Sequence, residues 1–208
     1  VPLADIREVA ENKKLRKGRG MPVTFEDHPF WDYALEVYGR EGVSAALIAL
    51  QDRHTLDVNM LLLSLWVSHS GRGVLNDAEM AHVLQVSANW NPEIVCGLRR
   101  VRILLRDEIP LVPRELSDAV RKHILGLEID CEHVEQLAMA GGLTQPDQPS
   151  LSMAQRFDHC VENFGNYFSR LACKITELDR EDLRIVFSAA FAEIEAQVIE
   201  QGSASLIS

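Results

Sequence analysis

Paired cysteines, long apolar runs and positive charge are all scarce in this 208-residue chain. Its four cysteines, Cys96, Cys131, Cys160 and Cys173, show no paired spacing and no CxxC, so reduced thiols in the cytoplasm are expected. The longest mainly apolar run, Val58 to Val67, is about half of what a bilayer requires, which argues against a membrane span. Residues 1–20 lack the apolar segment of a secretory signal. Lys and Arg number 21 against 31 Asp and Glu, a net charge of −10. An acidic body repels phosphate backbones, so duplex nucleic acid is not the expected partner. No GxSxG elbow, Walker-type GK[ST] loop, GxGxxG or HExxH is present, and no cofactor is implied. A convincing alternating strand is missing too, as is any internal repeat.

What the chain does have is helix signals. Pro29 fits the first position of a helix reaching about Tyr38, and Gly42 separates it from Val43–Leu50. Asp57 caps Val58 onward, a segment apolar on nearly every side that stops near Ser70-Gly71. Such a helix has no face for water and belongs at the centre of a bundle. Asn76 and Glu79 form a capping box for Asp77–Trp90, and Asn91-Pro92 reads as cap and first residue of Pro92–Asp107. A long helix spans about Arg114 to Ala140, with Leu116, Val120, His123, Leu127, Asp130, Val134 and Leu137 as a heptad-like seam.

The fold class is therefore all-α: a multi-helix bundle over 28–140, a Gly/Pro linker over 141–149 and a C-terminal antiparallel helical hairpin over 150–208. Residues 1–27 read as a basic, disordered extension, with Met21 a candidate natural start. The hairpin carries apolar stripes through Phe157, Phe164, Phe168, Leu183 and Phe187. Two helices cannot bury such stripes alone, so they pack on the bundle, on a second copy or on a partner.

Three clusters invite a functional reading. Asp52, Arg53, His54, Asp57 and Asn59 form a polar knot at the mouth of the central helix, where capping and helix-end pairing compete with acid–base chemistry and anion binding. Arg99, Arg102 and Arg106 share one helix face beside a stripe of Ile94, Leu98, Val101 and Leu105 read as buried; they are candidates for an anionic ligand or acidic partner, against a solvated face paired with Glu and Asp from a neighbouring helix. Trp31, Trp66 and Trp90 read as core aromatics or the wall of a ligand pocket. The metal-type spacings are weak. Glu79-x-x-His82 is explained by the capping box, and Cys131, His133, His159 and Cys160 diverge on a helix, so no metal ligand is assigned.

Phe30-Trp31-Asp32-Tyr33-Ala34-Leu35, Arg40-x-Gly42-Val43, Leu50-Gln51-Asp52-Arg53-His54, Asp57-Val58-Asn59-x-Leu61-Leu62 with Leu65-Trp66, Trp90 and Leu98-Arg99-x-Val101-Arg102 follow one another in a familiar order. They resemble a proteobacterial conserved-hypothetical family of helical proteins, a domain of unknown function, over roughly residues 30–106. The resemblance implies a soluble bacterial cytoplasmic protein and supplies no activity. The expected function is a non-enzymatic interaction or adaptor module, self-associating through the hairpin, with a protein partner or a second copy as its ligand. A small-molecule or enzymatic site using Asp52, Arg53 and His54 is the alternative, and a di-iron or zinc bundle the third. On the leading reading, removing the charges at Arg99 and Arg102 weakens partner binding without unfolding the chain.

Overall fold

A computed structural model describes residues 25–207, and most of the basic extension read over 1–27 lies outside the described residues. The described chain is helical: α1 (Pro29–Tyr38), α2 (Val43–His54), α3 (Val58–His69), α4 (Asp77–Trp90), α5 (Cys96–Leu104), α6 (Arg114–Ala140), α7 (Met153–Arg170), α8 (Glu177–Ala190) and α9 (Ala196–Ser205). Among the described residues there is no strand, and no helix is long and apolar enough to cross a membrane.

Local chemistry sets most of the boundaries. Pro29 opens α1, with His28 Nδ1 accepting from the Phe30 amide. Asp57 caps α3 through the Asn59 amide, and the chain leaves α3 through Gly71 at φ 85, in the left-handed region. Asn76 and Glu79 make the reciprocal capping box of α4. Every residue of α3 from Val58 to Ser68 is buried, and α1, α2, α4, α6 and α7 surround it. The central position expected of an all-round apolar helix is therefore occupied.

The helix expected over Pro92–Asp107 takes a different form. Asn91 is helical (φ −61, ψ −53) rather than a cap, and α4 runs on into a π-helical turn, Asn91–Val95, before α5 begins. Pro92 has no amide to return to the preceding turn and would crowd its carbonyl. Widening the turn, with the Cys96 amide donating to the Asn91 carbonyl, accommodates it without ending the helix.

The seam assigned to α6 is likewise corrected. Leu116, Val120, His123 and Leu127 are exposed, whereas Leu125, Glu128, Ile129, Glu132, His133, Glu135 and Gln136 are buried. The heptad spacing is real, but its first half points to solvent.

Beyond the linker, α7 packs on α3 and α8 packs on α2. The two meet through edge-to-face contacts of Phe157 and Phe164 with Phe187, and α9 closes over both. One hydrophobic core runs continuously from Phe30 through Leu61 to Phe187 and Ile199. The aromatic stripes of α7 and α8 are thus covered by the bundle of the same chain, which removes the geometric reason to place a second copy there. Gly202 of α9 rests against the buried Phe157 ring, where a Cβ would come within 2.7 Å of Cζ.

The linker is bound down rather than loose. Glu79 accepts from the Thr144 amide (2.7 Å), the Thr144 hydroxyl (2.8 Å), the Gln145 amide (3.1 Å) and Gln145 Nε2 (2.8 Å), besides its capping bond. Burial alone would raise its pKa, but these donors win and hold the carboxyl down at about 2.

Candidate functional site: a buried charge lattice and the apolar face outside it

The polar knot separates into two structures. Asp52 is exposed and accepts from Gln51 Nε2 (3.2 Å). Arg53 and His54 turn to α8, where Arg53 Nε donates to Asp179 Oδ1 (2.7 Å), Arg53 Nη2 pairs with Asp182, and His54 Nε2 lies 2.9 Å from Asp179 Oδ1. Asp179 is fully buried and also caps α8 through the Thr176 amide and hydroxyl. Burial pushes its carboxyl up, but the Thr176, His54 and Arg53 donors outweigh it and the pKa falls. Arg53 and His54 therefore fasten the end of α2 to the start of α8, as helix-end pairing does.

Asp57 and Asn59 face the other way, into a polar layer shared by α3, α4, α6 and α7. Asp57 accepts from the Asn59 amide (2.9 Å) and the Ser87 hydroxyl (2.5 Å), and its own amide donates to Tyr167 Oη (3.0 Å). Asn59 donates to Glu135 Oε2 (2.7 Å) and accepts from Gln136 (2.8 Å), while Asn91 on the π-turn donates to the same Glu135 oxygen (3.3 Å). Glu135 Oε1 finds no donor. Burial first, then the Asp57 charge, push the Glu135 carboxyl far above the usual range. Burial raises the Asp57 carboxyl as well, against the Ser87 and Asn59 donors, so the two acids share one buried site and titrate as a pair. The cleft beside this layer, lined by Gln51, Asp57, Asn59, Asn91, Arg99 and Glu132 among others, has about 10 Å³ of interior space, room for one water.

The arginine face is the largest correction. Arg99 and Arg102 are 8 % and 5 % exposed, not solvated. Arg99 Nε donates to Glu128 Oε1 (2.8 Å), Nη2 to Glu132 Oε1 (3.0 Å) and Nη1 to Gln51 (3.4 Å). Arg102 Nε and Nη2 both donate to Glu128, to Oε2 and Oε1 respectively. Only Arg106 of the three is exposed. The stripe read as buried is turned outward in consequence: Ile94 and Val101 are exposed, Leu98 and Leu105 half-buried, and Leu104 is 69 % exposed. α5 and α6 thus meet through their charges and leave their apolar stripes, Leu104 with Val101 on one and Leu116, Val120 and Leu127 on the other, in water.

The tryptophans have separate neighbours rather than a common pocket. Trp66 stacks on Phe30 (5.2 Å), Trp31 stacks on His133 (4.1 Å), and Trp90 Nε1 donates to the Cys131 carbonyl (2.9 Å). Among the described residues no group of three or more His, Cys, Asp or Glu is arranged to hold a metal ion. The Glu79 oxygens are taken by the linker, and His82 Nε2 lies 2.9 Å from the Ala138 carbonyl oxygen.

Glu128, Glu132, Glu135 and Gln136 are the buried polar partners on α6 that sequence reasoning did not name. The three glutamates are spaced four and three apart on α6, which places them on one face as the spacing of three places Arg99 and Arg102, and that reciprocity was the available signal.

The model of a family described as a protein of unknown function (DUF2390) matches residues 29–139, which is α1 through α6, with the π-turn and both partners of the charge lattice inside the match. No curated protein and no solved structure matches the chain.

Two outcomes follow from the buried groups. Arg99→Ala removes the guanidinium that Glu128 and Glu132 share and should cost about 3–5 kcal/mol in urea unfolding; a loss under about 1 kcal/mol would mean the lattice is solvated. Glu135→Gln keeps the neutral hydrogen-bonding shape. Because the folded pKa of Glu135 lies above its unfolded value, about 4.3, its contribution is complete below that value and lost as pH rises toward the folded pKa. The variant should therefore gain stability over the parent as pH rises through neutrality; parallel pH profiles would show that Glu135 is ionised in the fold.

Proposed function

The chain belongs to the DUF2390 family, and we propose that it is a non-enzymatic helical interaction module, working in the bacterial cytoplasm, whose contact surface is the outer face of α5 and α6. The observation that carries this reading is the inverted polarity of those two helices. Val101, Leu104, Leu111, Leu116, Val120 and Leu127 stand in water while Arg99 and Arg102 are buried. Exposing leucines while sinking arginines opposes the ordinary partition of side chains, and this many exposed aliphatic side chains on two neighbouring helices are what a contact site supplies.

The cleft at the polar layer supports the enzymatic alternative less well. It has room for a water rather than a metabolite, and its carboxylates already have partners within the chain. His54, the residue on which acid–base chemistry rested, is held against Asp179 at the opposite end of the knot from Asp57.

The test is to follow the protein at its native level in extracts of its own cells by size. The parent should migrate above the mass of the lone chain. The double variant Leu104→Glu/Leu116→Glu should migrate at that mass, with a melting temperature within about 2 °C of the parent, because both side chains are mostly exposed. A parent that migrates as the lone chain, or a variant that keeps its company, overturns the reading.

A further inference from the structure

We propose that Asp57 and Glu135 hold one proton between them, and that this shared proton latches the first turn of α3 to α6. While it is bound the layer stays closed; its loss parts the two carboxyls and admits water through the adjoining cleft. The latch lies inside the fold and is independent of the contact surface on α5 and α6.

Both carboxyls are buried and lie within hydrogen-bonding reach of each other. Asn59 ties them together, its amide donating to Asp57 Oδ1 (2.9 Å) and its Nδ2 to Glu135 Oε2 (2.7 Å). The Ser87 hydroxyl donates to Asp57 and Asn91 Nδ2 to Glu135. Among the described residues, every one of these donors is uncharged. Two adjacent carboxylates out of water, with no cation bonded to either, cannot both ionise without a large cost, so one proton is retained. Glu135 Oε1 receives no other donor, which leaves it to share that proton.

The surrounding charges supply no substitute. Arg99 on α5 acts on Asp57, but its Nε, Nη2 and Nη1 already donate to Glu128, Glu132 and Gln51. Glu128 and Glu132 on α6 oppose a further anion. The other titratable groups facing the layer among the described residues are Cys96 on α5, Cys131 on α6, Tyr167 on α7 and Tyr38 on α1. Burial raises each of them, so they stay neutral where the pair titrates. From α2, α4 and the π-turn come the uncharged Gln51, Ser87 and Asn91.

The first turn of α3 is built on the same residue. The Asp57 carbonyl accepts from the Met60 (3.1 Å) and Leu61 (3.3 Å) amides, and the Asp57 amide donates to Tyr167 Oη (3.0 Å). The cleft lined by Asp57, Asn59 and Asn91 has room for a water, so a second anion is hydrated here rather than in the apolar core. Opening returns the raised acid to its ordinary range, and above that range each opening releases one proton. The opening constant therefore rises tenfold per pH unit until the closed pair itself ionises.

The experiment is amide hydrogen exchange on the full chain between about pH 6 and about pH 8, corrected for intrinsic rates, on the parent and Glu135→Gln. In the parent, the Asn59, Met60 and Leu61 amides should open more readily than those of Phe164 and Phe187 in the core, by a constant that rises roughly hundredfold over that range. In Glu135→Gln, whose side-chain amide takes the place of the shared proton, the constant should stay flat. First-turn amides as well protected as the core, a flat parent, or a slope retained in Glu135→Gln each overturn the proposal. Carbon-13 shifts of the two carboxyls test it in the parent alone. One of the pair should stay protonated through neutrality; two ordinary titrations near about 3.9 and 4.3 overturn the latch whatever the variant does.

Discussion

The pairing of Arg99 and Arg102 with Glu128 and Glu132 is the constraint on which the rest of the architecture hangs. Two guanidinium groups and two carboxylates, all nearly out of water, cannot be left half matched, because one unpaired member retains the full desolvation cost. Their geometry therefore fixes the rotation of α5 about its own axis and the register in which it crosses α6. Such a lattice contributes more to the choice of one arrangement than to total stability, since leucines in the same place would serve stability as well. Here the leucines are in the sequence, and they are on the other side of the helix.

A second polar layer continues from this lattice through Asn91, Glu135, Asn59 and Asp57 to Tyr167. It gathers the start of α3, the end of α4, the π-turn, α6 and α7 at one level of the bundle. Above it α3 is apolar apart from Ser64 and Ser68, and a nearly all-apolar helix specifies little of its own rotation or depth. The capping carboxylate and Asn59, with Ser68 accepting from Asn163, supply that information, fixing where the helix begins and which neighbours it faces. Tyr167 brings α7, which lies beyond the family match, into the same layer.

Much of this was legible from residue order. Pro29, Asp57, Asn76 with Glu79, and Gly71 mark their boundaries by local chemistry, and local chemistry is what a sequence displays. The central place of α3 was legible as well, because a helix with no polar face has only one environment open to it. The rotation of α5 and the outer half of α6 was not. Periodicity identifies two faces of a helix, and hydrophobicity ordinarily decides which is inside, but here the decision belongs to glutamates 26–33 residues away. The division of the polar knot was not legible for a related reason. Five neighbouring residues look like one site, yet the chain turns at Thr55, φ 57, and sends Arg53 and His54 to one helix and Asp57 and Asn59 to others.

The π-turn at Asn91–Val95 sets the phase of everything after it. A wide turn holds one residue more than an α-helical turn, so removing one residue there would advance α5 by about 100° against α4. The positions that meet Glu128 would then carry Arg100 and Ile103 in place of Arg99 and Arg102. The polarity of the outer surface is thus encoded less in the composition of α5 than in a single residue of spacing upstream of it. A one-codon insertion or deletion in this turn would alter the face shown to the surroundings more deeply than most substitutions on that face.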